Sequence, residues 1–244
     1  MKLCVIPARG GSKRIPGKNL RPFCGKPILL YSVEAAQQSG LFDRIVVSTD
    51  SDEIAALARE HGAEVPFVRP PELSDDFTGT NAVVRHAIEW FVEQGAAPDW
   101  VCCIYATAPF LSAERIREGF ERLEPSGRAF AFSVTSFAFP VERALRLAGD
   151  GGVEPLFPDR ILSRSQDLEE ALHDAGQFYW GTAEAFLTDQ PLFARHSLAI
   201  RLPRHLVQDI DTFEDWARAE RMFRAAQGAE PESLDPSGPA VGSD

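Results

Sequence analysis

No acidic residue precedes Glu34, although the whole chain of 244 residues is strongly acidic, with 36 Asp and Glu against 25 Lys and Arg and a net charge of -11. That overall balance excludes a surface built to pair nucleic-acid phosphates, so no nucleic acid is expected as a partner. Cysteines number four, Cys4, Cys24, Cys102 and Cys103, and none stands at zinc-type spacing. They read as reduced thiols, and adjacent Cys102 and Cys103 should point to opposite faces of a strand. No apolar run reaches the roughly 18 residues of a spanning helix, which leaves no membrane role. The first residues read as a strand rather than a signal peptide, and a soluble, cytoplasmic protein is expected. There is no internal repeat, no G-x-G-x-x-G and no complete P-loop.

Where acids are missing, cations collect. Lys2, Arg9, Lys13, Arg14, Lys18, Arg21 and Lys26 hold seven of the 25 basic residues. Four of them lie in the stretch CVIPARGGSKRIPGKN (Cys4–Asn19), directly after an apolar strand pattern at Leu3–Pro7. Gly11 and Gly17 enclose five residues rather than the P-loop's four, and Asn19 follows Lys18 where Ser or Thr would stand. The physics of a phosphate cradle still applies, since glycines let backbone amides approach an anion and cations neutralise it.

Further strand patterns fall at Arg44–Thr49, Glu64–Val68, Trp100–Tyr105, Ala129–Thr135, Gln177–Trp180 and Leu198–Leu202. Helical patterns alternate with them at Pro27–Ser39, Asp52–His61, Asn81–Gln94 and Ala113–Leu123, and a last one runs from Phe213 to Ala226. The alternation predicts an α/β fold, a Rossmann-like three-layer sandwich on a mostly parallel, doubly wound sheet. Such sheets bind ligands beyond the carboxyl ends of their strands, where the basic loop lies. One domain is expected over residues 1–227. An irregular excursion over about 137–175 interrupts it, and a Gly-, Pro-, Ser- and acid-rich tail over 228–244 reads as disordered.

The stretch QDIDTFEDW (Gln208–Trp216) sets Asp209 and Asp211 two apart, on one side of a strand if the segment is extended. Thr212 and Asp215 read as a capping box opening the last helix. Two neighbouring carboxylates suit a divalent cation, although Asp-x-Asp alone also fits two solvated loop acids. In RPPELSDDFTGTNAVV (Arg69–Val84) a polar loop enters a helix with Thr80 as the expected N-cap. YATAPFL (Tyr105–Leu111) closes a strand pattern, and RSQDLEEALHDAGQFYWG (Arg164–Gly181) adds an arginine able to pair with a carboxylate and aromatic faces suited to an apolar ligand surface.

The opening IPARGGSKRIPGKN resembles the phosphate loop of the CMP-N-acetylneuraminate (sialic-acid) synthetases, and the likeness extends to about Ala226. It implies a nucleotide-diphospho-sugar-transferase type of fold and transfer of CMP from CTP to a nonulosonic acid. It also implies Mg²⁺ held by Asp209 and Asp211, and a homodimer built through the excursion. The loop residues Ala8, Arg9, Gly10, Gly11, Ser12, Lys18 and Asn19 would bind CTP, with Asp76, Thr78 and Thr80 near its nucleoside. Arg9, Lys18 and Asp211 would carry catalysis, and Tyr105, Thr107, Arg164, Gln166, Gln177 and Tyr179 would contact the sugar. Tyr105 stands where sialic-acid enzymes carry glutamine, and together with the aromatic run is similar to the pseudaminic-acid branch. Open alternatives are N-acetylneuraminic or legionaminic acid as substrate, and a metal-dependent glycosyltransferase of similar architecture.

Overall fold

The structure is a computed structural model that describes residues 1–228; the expected tail over 228–244 thus lies, but for Gly228, outside the described residues. The described residues form ten strands, in chain order: β1 (Lys2–Pro7), β2 (Pro22–Phe23), β3 (Lys26–Pro27), β4 (Arg44–Ser48), β5 (Trp100–Ile104), β6 (Phe130–Ser136), β7 (Leu145–Leu147), β8 (Val153–Pro155), β9 (Leu172–Thr182) and β10 (Ser197–Arg201). Six helices accompany them: α1 (Ile28–Ser39), α2 (Asp52–Glu60), α3 (Thr80–Glu93), α4 (Ala113–Leu123), α5 (Ala183–Leu187) and α6 (Phe213–Gly228). The central sheet has six strands in the order β10-β6-β9-β5-β1-β4. β1 pairs in parallel with β4 and β5, β10 in parallel with β6, and β9 alone runs antiparallel to both its neighbours.

Burial on both faces explains why these strands are continuous apolar runs. On one face Cys4, Ile6 and Cys102 pack against Leu29 and Val33 of α1, Ile54 of α2 and Phe120 of α4. On the other, Leu3, Val5 and Cys103 pack against Val84, Ile88 and Phe91 of α3 and Phe186 of α5. The two adjacent cysteines thus enter different cores, as alternation along a strand requires. A third cluster fastens α6 to the β2–β3 hairpin through Phe23, Ile28 and Trp216. The layered α/β fold is therefore the expected one.

Several local expectations need correction. Glu64–Val68 is not a strand; it makes a single bridge from Glu64 to Val46 of the edge strand β4. Pro66 follows with no amide to donate, so the ladder cannot continue. The excursion is less irregular and shorter than its sequence suggests. Its Gly149–Gly152 turn closes the small hairpin β7–β8, and β9 begins at Leu172. The excursion leaves several large apolar side chains in solvent, with Phe139 79%, Leu147 77% and Leu162 93% exposed.

Gly119 sits inside α4, where alanine ordinarily stabilises a helix by up to about 1 kcal/mol. Here a Cβ would lie 2.7 Å from Phe178 Cε2 and 2.9 Å from Trp180 Cδ1. Both rings are fully buried, and Trp180 is pinned by donating Nε1–H to the Ile116 carbonyl at 3.0 Å. Overpacking therefore reverses the sign: Gly119→Ala should destabilise the protein by about 1–3 kcal/mol in urea titration. A neutral or stabilising result would mean that α4 can lift off the sheet.

Candidate active site

All five parallel strands end on the same edge of the sheet, and the polar loops gather there. The loop after β1 is shaped first by its own bonds. Ala8 N–H donates to the Ser48 carbonyl, Gly10 N–H to Asp50 Oδ1 at 2.8 Å, and Ser12 N–H to the Gly10 carbonyl. Asn19, nearly buried, donates Nδ2–H to the Arg9 carbonyl at 2.9 Å. Asn19 thus braces the loop, and the Gly10 and Ser12 amides are already engaged. Side-chain cations carry the anion-binding capacity here, more than the amide cradle its glycines suggest.

Arg9, Ser12, Lys13, Arg14 and Lys18 line a cleft of about 460 Å³ together with Asn19, Asp76, Thr80, Tyr105 and Thr107. Two carboxylates hold these cations in place. Asp76 pairs with Arg9 at 2.8 Å and Lys13 at 2.5 Å; Asp211 pairs with Arg14 at 2.8 Å and lies 3.6 Å from Lys18. Lys18 also donates to the Ile210 carbonyl. Burial lowers the Lys18 pKa, a pull that Asp211 and Asp209 oppose. Beneath Arg9, Arg69 is almost fully buried, with Nε–H on Ser48 Oγ at 3.1 Å. Its pKa falls to about 10, chiefly through burial, so it remains charged at neutral pH. Arg69 was one of several loop cations in the sequence; only its packing against β4 shows that it adds a fixed charge under the cleft.

Asp209 and Asp211 do not sit on a strand as expected. They follow an irregular turn after β10, and buried Ile210 between them turns both outward. Burial raises the Asp209 pKa first and the Asp211 charge raises it further. The capping box is formed: Thr212 N–H donates to Asp215 Oδ2 at 2.8 Å and Asp215 N–H to Thr212 Oγ1 at 3.2 Å. Among the described residues no group of three His, Cys, Asp or Glu side chains is arranged as a metal cage. The crowded Asp pair nevertheless fits Mg²⁺, which takes one or two carboxylates and leaves its other positions to water and phosphate.

Thr80 is not the N-cap of α3. Gly79 occupies that position, and Thr80 Oγ1 lies 3.3 Å from the Tyr105 hydroxyl. Thr78 hydrogen-bonds to the Glu72 carbonyl and lines a smaller adjoining cleft with Arg9 and Asp76. Gln177 is buried and donates to the Leu206 carbonyl at 2.6 Å, bracing the loop that leads to the Asp pair. Tyr179 lines a second, mainly apolar cavity of about 460 Å³ that shares Thr80 and Tyr105 with the first. Arg164 and Gln166 are exposed on the excursion, Arg164 paired with Asp167, and neither lines the cleft.

A family model described as cytidylyltransferase matches residues 3–220. The chain belongs to the cytidylyltransferase family. It is 46% identical, over 91% of its length and 96% of the relative's, to the pseudaminic acid cytidylyltransferase of Campylobacter jejuni. It is 33% identical, over 93% and 98%, to the CMP-N,N'-diacetyllegionaminic acid synthase of Legionella pneumophila. Its fold is similar to that of a CMP:2-keto-3-deoxy-manno-octonic acid synthetase solved with CTP, with a TM-score of 0.68 at 14% identity over 92% of this chain and 99% of that one. A cytidylyltransferase makes a nucleotide sugar or alcohol rather than consuming one, so the glycosyltransferase alternative falls away.

For this cytidylyltransferase, the expectation that Arg9 meets phosphate predicts that Arg9→Ala lowers kcat/KM for CTP by about 100-fold or more. Its half-exposed ion pair contributes little to folding, so the melting temperature should hold. Unchanged kinetics would remove Arg9 from the phosphate site.

Proposed function

We propose that the protein transfers CMP from CTP to the anomeric C2 hydroxyl of pseudaminic acid, giving CMP-pseudaminic acid and pyrophosphate. The 46% identity to the Campylobacter jejuni enzyme across nearly the whole chain carries the choice of sugar. The cationic cleft beyond the sheet supports the nucleotide half of the reading. The C2 oxygen attacks the α-phosphorus in line and forms the new P–O bond. The bond to the β-phosphate oxygen breaks, its electron pair leaves with pyrophosphate, and the hydroxyl proton is released. Arg9 and Lys18 neutralise the triphosphate and the leaving group, exchanging their present carboxylate partners for phosphate oxygens. Asp209 and Asp211 would hold Mg²⁺, which when bound neutralises phosphate charge and acidifies a coordinated hydroxyl. The apolar cavity beside Tyr105 and Tyr179 offers the deoxy, acylamino face of the sugar a dry surface.

The proposed enzyme is a cytoplasmic homodimer. The exposed apolar side chains of the excursion form the kind of patch that a second copy covers. In that arrangement Arg164 and Gln166, remote from the cleft of their own chain, serve the partner's sugar pocket.

Pyrophosphate release with CTP and Mg²⁺ tests the reaction. Turnover with pseudaminic acid, and little with N-acetylneuraminic or legionaminic acid, is expected. Preference for either of the others would keep the chemistry and overturn the sugar. Asp211→Ala should abolish release without unfolding the protein; near-normal rates at low Mg²⁺ would defeat the metal assignment. Leu147→Asp should shift sedimentation from dimer to monomer and reduce turnover. A wild-type monomer at assay concentration would rule out the dimer.

A further inference from the structure

β9 contains an irregularity whose consequence is chemical. Phe132 of β6 pairs with Tyr179, and Val134 pairs with Asp174. Two steps along β6 are thus matched by five along β9, so three additional residues bulge from the strand. In a regular strand Asp174 and Tyr179, five apart, would face opposite sides of the sheet. The odd surplus turns Asp174 onto the side of Tyr179, a common use of a bulge beside a site.

The chain is built to hold this shape. Gly176 supplies the left-handed backbone at φ +63 and donates N–H to Asp174 Oδ1 at 2.9 Å. Buried Ser133 of β6 fills the gap in the ladder, its Oγ accepting from Gln177 N–H at 3.2 Å and Phe178 N–H at 3.3 Å. The other oxygen of Asp174 accepts the Tyr179 hydroxyl at 2.7 Å. The Tyr179 ring leans on that of Tyr105 with centroids 5.1 Å apart, and the Tyr105 hydroxyl reaches Thr80 Oγ1. Tyr105 and Thr80 line both the cationic cleft and the apolar cavity, and so form the wall between them. Burial keeps both phenols protonated and therefore able to donate.

We propose that Asp174 is a positioning residue for sugar selection: through Tyr179 it fixes Tyr105, the partition between the nucleotide cleft and the apolar cavity. The proposal rests on the reading of the apolar cavity as the sugar side. CTP meets the cationic side of the partition and should not register a slack Tyr105, whereas a sugar lying across it should. A half-buried carboxylate that braces its own bulge also has a plain structural role available to it, so the distinguishing readout is a split between the two Michaelis constants.

The test is steady-state pyrophosphate release by Asp174→Ala, Asp174→Asn, Tyr179→Phe and Tyr105→Phe. Losing one hydrogen bond in the chain should raise the KM for pseudaminic acid about tenfold, with the KM for CTP within about twofold. Asp174→Asn, which still accepts from Tyr179, should recover most of the loss. The double variant Asp174→Ala/Tyr179→Phe should be no worse than the more impaired single, because both remove the same bond. Equal rises in both Michaelis constants, additive losses or an unchanged sugar KM would overturn the proposal. If Asp174→Ala fails to fold, Tyr179→Phe and Tyr105→Phe, which delete only hydroxyls, carry the same criteria. Wild-type turnover is scored first: should another nonulosonic acid react instead, the sugar assignment fails and the same split is read with that acid.

Discussion

Charge opposition at the mouth of β1 is the constraint around which the site is organised. Four cations project into one cleft with a buried fifth, Arg69, below them, and like charges so placed repel. The fold resolves this with its own anions. Asp76, from the loop before α3, answers Arg9 and Lys13; Asp211, from the loop before α6, answers Arg14 and Lys18. These loops are distant in sequence, and the carboxyl edge of the sheet is where they can meet. A triphosphate offers the cations better-matched partners than two carboxylates do, and the pairs made by the well-exposed Lys13 and Arg14 cost little to break. On the proposed reading, Asp76 and Asp211 stand where phosphate charge will be, and binding frees Asp211 for its metal role.

The antiparallel strand β9 supplies the second organising element. It lies between β5 and β6 in an otherwise parallel sheet, so its start, not its end, reaches the ligand edge. Its bulge there re-aims side chains that a regular strand would have scattered over two faces. Gln177, Tyr179 and Asp174 consequently serve three separate tasks: a brace for the 204–206 turn, a wall of the apolar cavity and an anchor for that wall.

Legibility of the chain followed the range of the forces involved. Alternating apolar strands and capped helices are local patterns, and the layers and the Thr212–Asp215 box agree with them. The acid-free opening marked the cationic cleft because charge clustering is visible without coordinates. Thr80 was misassigned because its hydroxyl serves Tyr105, 25 residues away, while the helix starts without a side-chain cap. Glu64–Val68 has strand-like composition, but Pro66 and the edge position end its pairing after one bridge. The bulge could not be foreseen, since it exists only in the register between two strands. The pairing of Asp76 with Arg9 is of the same kind.

The central claim, that the cation cluster is a triphosphate site, is tested most directly by calorimetric titration of CTP and CMP against the wild-type protein at several salt concentrations. The account predicts that CTP binds far more tightly than CMP, and that its advantage shrinks as salt screens the cluster. Equal affinities for the two nucleotides, indifferent to salt, would contradict it.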